Sequence, residues 1–308
     1  MNEVPHPTLL NRDIPPVIAK QHFGNQLSLM RDMVNYGSNL IVRAYTSSPK
    51  KMADIIACGV LLRQIVTMLD AVDVLISAGC GLPSHLPARA AFEASLYLEW
   101  ILHSDSERRA TRYLVGNYRE DRKWVSRGVK GSPEEEAMKW VGIDLHSSRP
   151  DLHSDASAQL AEIERLLAQP ELALINAEFD AVEEKQKRGK KPVEWYHLDG
   201  LRSVRHMAEK LNRLREYQFM YSKGSEVTHV ARYKDHLAFN NGRVEFNEIR
   251  HLQDAQSAIS FILAVTIGAY SKCIEYYRPD EKPAFQRKFT EDWREVYLMT
   301  MGVESSSP

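Results

Sequence analysis

The chain has 308 residues, enough for one large domain or two ordinary ones and for a substantial core. Hydrophobic residues at 44% and charged residues at 26% match globular averages and exclude disorder over most of the length. The 40 basic and 41 acidic residues leave a net charge of −1, which excludes a global field for nucleic acid or membrane and leaves only local patches.

Residues 1–16 carry four prolines and read as an irregular arm; residues 17–302 read as one helical domain. Val17–Tyr45 is a predicted helix with Leu27, Met30, Val34 and Ile41 at helical spacing, ended by Ser47, Ser48 and Pro49. Lys50–Ala78 is a second, with an apolar stripe running from Ile55 to Leu75, and Gly79, Gly81 and Pro83 break the chain after it. Pro87–His103 is strongly apolar. Asp105–Arg127 places six arginines among Tyr113, Tyr118 and Trp124, with Asp105 or Ser106 as the expected N-cap.

Ser132–Arg149 opens Ser-Pro-Glu-Glu-Glu, a cap, a first-turn proline and carboxylates for the positive end of the helix dipole. Ser154–Leu167 and Pro170–Gln186 read as two more helices, and the region 150–192 has the look of a helical insertion. The basic run Lys185–Lys191 reads as a solvated turn, with an RNA or phosphate contact as the sharper alternative. Leu201–Leu214 and Glu216–Val230 continue the helical pattern. Asn241-Gly242 between short alternating runs predicts one β-hairpin over 236–246. Asn247–Tyr277 is expected as one long helix, Lys282–Met301 as a last one, and 303–308 as a disordered tail. The fold class expected is all-α, a multi-helix bundle with that single hairpin.

Cys58, Cys80 and Cys273 are far apart and lie in or beside apolar stretches, as expected of small buried hydrophobes in a reducing compartment. The N-terminus lacks the charged-then-apolar pattern of a secretory signal. The uncharged run from Ala255 ends at Lys272, short of the roughly 20 apolar residues of a membrane span. A cytoplasmic protein without membrane contact is the expectation. Phosphate-loop, dinucleotide, nucleophile-elbow, zinc-protease and structural-zinc signatures are absent from the sequence, so no cofactor and no metal are expected.

Three constellations remain. Arg89 and Glu93 stand four apart on an apolar helix, and Tyr97 and Trp100 continue their face. The pair is either an internal ion pair that fixes helix register or part of a polar pocket. Glu226 and His229 stand three apart, with Tyr221, Ser222 and Ser225 about one turn earlier, a pattern suited to acid–base chemistry or metal binding. A second Glu-x-x-His, Glu194 to His197, invites a di-iron reading with Glu93 and Glu99. That reading fails on spacing, since the two pairs are close in sequence and the other two glutamates share one helix. Arg63 interrupts the apolar helix ahead of Asp70 and Asp73, either as a surface stripe or as a neighbour of Arg89 and Glu93.

The order Arg89-x-x-x-Glu93, Trp195, Arg205-x-x-Ala208, Tyr217-x-x-x-Tyr221-Ser222 and His229 resembles a bacterial helical family catalogued as domain of unknown function 5677, over roughly Lys50 to Tyr277. The resemblance implies an all-helical fold with Arg89, Glu93 and His229 as shared polar positions, and no established reaction. A looser similarity is to the HEPN superfamily, whose ribonucleases carry Arg-x(4–6)-His. Here Lys223, not an arginine, stands six residues before His229, and Arg232 to His236 is one residue too short.

These readings converge on a binding or regulatory protein of a bacterial stress or phage-defence system, with a polar pocket lined by Arg89, Glu93, Tyr97, Tyr221, Ser222, Ser225 and Arg63. The alternative is a metal-independent ribonuclease with His229 as acid or base, oriented by Glu226. A third is a structural homo-oligomer built on the Asn247–Tyr277 helix. The partners expected are RNA or another protein, with self-association.

Overall fold

The computed structural model describes residues 10, 12–46, 48–149, 151–185, 192–229, 233–240 and 242–302. Residues 1–9 of the arm, 186–191 of the basic run, Asn241 of the turn and the tail 303–308 lie outside the described residues. The fold is all-α. The helices in chain order are α1 Ile14–Thr46, α2 Met52–Ser77, α3 His85–His103, α4 Ser106–Ser126, α5 Pro133–Trp140, α6 Leu145–Ser148, α7 Leu152–Leu167 and α8 Pro170–Lys185. They continue with α9 Val204–Lys210, then α10 Leu214–Glu216, which runs through a π turn at Tyr217–Tyr221 into α11 Ser222–Thr228. Strands β1 Leu237–Asn240 and β2 Arg243–Phe246 pair antiparallel as the expected hairpin, with Gly242 at φ 78. After them come α12 Ala255–Tyr277, α13 Lys282–Lys288, a π turn at Phe289–Trp293 and α14 Arg294–Thr300.

Several boundaries differ from those read in the sequence, each for a physical reason. The helix expected from Asn247 begins only at Ala255. Before it, Cys80 and His251 form a parallel bridge, the Gly81 N–H donates to the His251 carbonyl at 2.9 Å, and Asp254 sits at φ 67. A Cβ on Gly81 would lie 2.7 Å from the Gln253 carbonyl oxygen, so this approach needs glycine. The 201–214 segment is helical only over α9. Asn212 at φ 58 ends it, and the Arg213 N–H reaches back to the Ala208 carbonyl at 2.7 Å. Gly142 at φ 82 splits Ser132–Arg149 into α5 and α6. Ser132 does cap, its Oγ accepting from the Glu135 N–H at 3.1 Å. Asp105 does not: it lies in the left-handed region at φ 46 with no side-chain cap bond.

The chain divides into two compact units. One takes the described residues within Met1–Lys50, Cys58–Ser104 and Met207–Pro308; the other takes Lys51–Ala57 and those within Asp105–His206. In the first, α12 is the centre and packs against α1, α3 and α14. Ala258, Ile259, Ile262, Leu263, Thr266 and Tyr270 are fully buried, and the exposed positions Gln256, Ser271, Lys272 and Glu275 are polar. At 23 residues α12 is longer than its uncharged run suggests. Like α2, it is long and apolar enough by composition to cross a membrane; 61% of its most apolar window and 50% of that of α2 are buried within the protein. The Tyr270 hydroxyl donates to the Met33 carbonyl at 2.7 Å. Burial in this apolar setting pushes its pKa far up. Tyr36, Phe285 and Trp293 pack as an aromatic cluster beside it, and the Trp293 indole donates to Asp32 at 2.7 Å.

In the second unit the arginines of α4 are structural. Arg112 and Arg119 are buried. Arg112 pairs with Glu178 at 2.7 Å and with Asp199; Arg119 donates to Asn176 at 2.5 Å, Asp180 at 2.8 Å and Glu183 at 2.7 Å. Their partners lie on α8 and on the turn Trp195–Asp199, so the charges face across one seam. Gly116 of α4 gives room to Trp195, whose Cβ would stand 3.2 Å from an added methyl.

Two predictions follow from this packing. A Cβ on Gly37 would sit 2.1 Å from the Tyr270 oxygen, so Gly37→Ala should cost about 1–3 kcal/mol, read by chemical denaturation. Arg112→Ala leaves Glu178 to Arg108 and Asp199 to Arg109 and removes the arginine that joins the two in the seam, so it should cost about 1–3 kcal/mol in the same measurement, whereas a change at half-buried Arg122, whose contact with Glu164 is 3.5 Å, should cost well under 1 kcal/mol.

Candidate functional site

The register of α3 turns one side to α12 and another to α11. Ala88, Ala91, Phe92 and Leu98 are buried, while Arg89, Glu93 and Tyr97 are half-buried. Residues four apart share a helix face, so these three form one polar row. The opposing segment comes close because Gly224 has no side chain. A Cβ there would stand 2.7 Å from the Arg89 Cβ and 2.9 Å from the His85 carbonyl oxygen.

Arg89 and Glu93 do not form the direct ion pair that their spacing suggests. The Tyr221 hydroxyl stands between them, accepting from Arg89 Nη2 at 3.0 Å and donating to Glu93 Oε2 at 3.1 Å. The second Glu93 oxygen accepts from the Tyr97 hydroxyl at 2.9 Å. The Arg89 guanidinium lies 4.4 Å from the centre of the Tyr221 ring, and Tyr217 stacks on that ring at 4.5 Å. The π turn over Tyr217–Tyr221 adds a residue to the helical turn and brings the two rings face to face. Burial pushes the Tyr221 pKa up and the Glu93 carboxylate adds to this, while Arg89 pulls the other way; the net shift is upward.

The other predicted residues are not brought into this network. At roughly 100° per residue, Glu226 and His229 lie about 200° and 140° around α11 from Gly224, which faces α3. His229 is exposed, and its N–H closes the helix on the Ser225 carbonyl at 3.1 Å. Among the described residues no hydrogen bond or ion pair links His229 to Arg89 or Glu93. The Ser222 Oγ is turned to the Tyr217 carbonyl at 3.3 Å. Arg63 is exposed and lines a separate groove between α1 and α2 with Val34, Ser38, Ile41 and Asp70. Asp73 pairs with Arg31 at 2.9 Å. The Glu194–His197 pair is a local cap, the Glu194 N–H donating to His197 Nδ1 at 2.9 Å.

One group was missed by sequence reasoning. Arg213 pairs with Glu99 at 2.9 Å and Glu216 at 2.7 Å and lies 5.5 Å from the Phe92 ring centre. It lines a cavity of about 60 Å³ with Ser95, Leu98, Glu99, Gly268, Ala269 and Lys272. In the sequence it is one arginine of several in a turn, and nothing marks it out.

Tyr221→Phe removes the hydroxyl that serves both charges and should cost about 1–2 kcal/mol by chemical denaturation. A raised folded-state pKa means that the stability contributed by the protonated phenol is full below about pH 10 and is lost as pH rises through the higher folded value. The gap between the parent protein and Tyr221→Phe should therefore narrow above pH 10, and tyrosinate absorbance should show one late-titrating phenol fewer in the variant than in the parent.

Residues 54–243, more than half of the chain, match the family described as "Family of unknown function (DUF5677)". The matched stretch contains Arg89, Glu93, Tyr221 and His229. No curated protein and no solved structure matches the chain. With its all-helical fold and this match, the chain belongs to the DUF5677 family.

Proposed function

We propose that this chain is a binding or regulatory protein that takes an anionic group, a carboxylate or phosphate, at Arg89 in the row between α3 and α11. The observation that carries the reading is the state of the Arg89 guanidinium. A guanidinium has about five N–H donors. Among the described residues Arg89 donates one, to Tyr221, and it stays half-buried. Its position is set by the Tyr221 ring, and its neighbour Glu93 is turned inward with both oxygens taken by tyrosine hydroxyls. A guanidinium so oriented is suited to bidentate recognition of a planar or tetrahedral anion.

The ribonuclease alternative needs His229 beside a phosphate-holding cation. His229 is the exposed C-cap of α11 and, among the described residues, shares no hydrogen bond with Arg89, which favours binding over cleavage.

Thermal-shift titration with inorganic phosphate and pyrophosphate tests the reading. Stabilisation of the parent protein, lost in Arg89→Ala and kept in His229→Ala, is the expected result. An Arg89→Ala protein that responds like the parent overturns it. So does RNA cleavage by the purified protein that disappears in His229→Ala.

A further inference from the structure

We infer that a cavity between the start of α1 and the segment ahead of α12 binds a small monocarboxylic acid with an apolar body. Ile14, Pro15 and Ile18 line it from α1, and Glu248, Arg250, His251 and Leu252 line it from the other side. Its volume is about 370 Å³, inside the roughly 300–1,000 Å³ of small-molecule sites. No residue of the Arg89 row lines it.

Both walls are pinned to the same short stretch, the end of α2 and the turn after it. Gly79, at φ 81, lets α1 close on that turn: a Cβ there would stand 2.3 Å from the Pro15 Cβ. From the other side Arg250 Nη1 donates to the Ala78 carbonyl at 3.1 Å. The His251 carbonyl accepts from the Gly81 N–H at 2.9 Å, beside the bridge to Cys80. Because the two walls share one anchor, the cavity is formed before a ligand arrives. A pre-formed site loses little affinity to ordering on binding.

The lining selects the chemistry of the ligand. Pro15 is buried, while Ile14 at 55% and Ile18 at 39% exposure keep apolar surface open to contact. Arg250 is half-buried, and among the described residues it donates to Ala78 alone. A guanidinium has about five N–H donors in a planar fork that matches a carboxylate. His251 shuts its Nδ1 away from solvent, so Nε2 is the ring nitrogen open to a ligand. Glu248 is exposed, and its charge opposes a second negative charge, which favours a monoanion over a phosphate dianion. A carboxylate on Arg250, with its chain along Ile14, Ile18 and Leu252, uses both halves of the lining.

Isothermal titration calorimetry of the full chain with sodium octanoate tests this. Acetate has the charge without the apolar body, and octan-1-ol has the body without the charge. Octanoate should bind saturably, and each of the other two at least about tenfold more weakly. Arg250→Gln should weaken octanoate by at least about tenfold, and so should Ile18→Asp, which sets a like charge in the apolar wall. Arg287→Gln, exposed on α13, should leave binding unchanged. Far-UV circular dichroism checks that the variants stay helical, and Ile18→Asp still reads the site if Arg250→Gln does not fold. A protein that does not bind octanoate overturns the proposal. So does octan-1-ol or acetate binding as tightly as octanoate, and so does octanoate binding that is indifferent to Ile18→Asp and Arg250→Gln or equally weakened by Arg287→Gln.

Discussion

A 23-residue helix with a single lysine before its last turn has to be covered, and the first unit is built around covering α12. The hydrophobic effect acts on area, so an almost uncharged helix draws neighbours to most of its circumference. α1, α3 and α14 supply them. The buried Tyr270 hydroxyl then needs an acceptor, and the Met33 carbonyl of α1 provides it. Gly37, beneath that tyrosine, is the space this arrangement requires.

The candidate site is a consequence of the same packing. Because α3 spends Ala88, Ala91 and Leu98 on the core, its Arg89–Glu93–Tyr97 row is left to face the Tyr217–Thr228 segment. Two opposite charges in a half-buried row could pair directly. Instead a phenol stands between them, donating to Glu93 and accepting from one donor of Arg89. The bridge orients the guanidinium through a neutral hydroxyl in place of a direct contact with the carboxylate. The second unit treats its charges differently: Arg112 and Arg119 are surrounded by acceptors until little of either is left for a ligand.

Parts of this were legible in the chain itself. The Asn-Gly hairpin, the Ser132 cap and the apolar stripes of α2 and α3 follow from local rules of turn, cap and period. Arg89 and Glu93 stood out because charge in an apolar helix is conspicuous. The Tyr221 bridge was not legible, since it depends on a π turn that no propensity signals and on a glycine whose importance lies in what approaches it. Nor was the orientation of His229: spacing shows which residues share a face, not which face meets a neighbour. The late start of α12 was hidden because the bridge between Cys80 and His251 joins residues 171 positions apart.

The sequence by itself determined the all-α class, the hairpin and the polar row on α3, because period and turn chemistry act over a few residues. Only the tertiary structure decided that Arg89 reaches Glu93 through Tyr221, that exposed His229 shares no bond with them among the described residues, and that the arginines of α4 are consumed inside their own unit. Those outcomes rest on contacts between residues far apart in the chain, and local sequence carries no record of which distant side chain arrives.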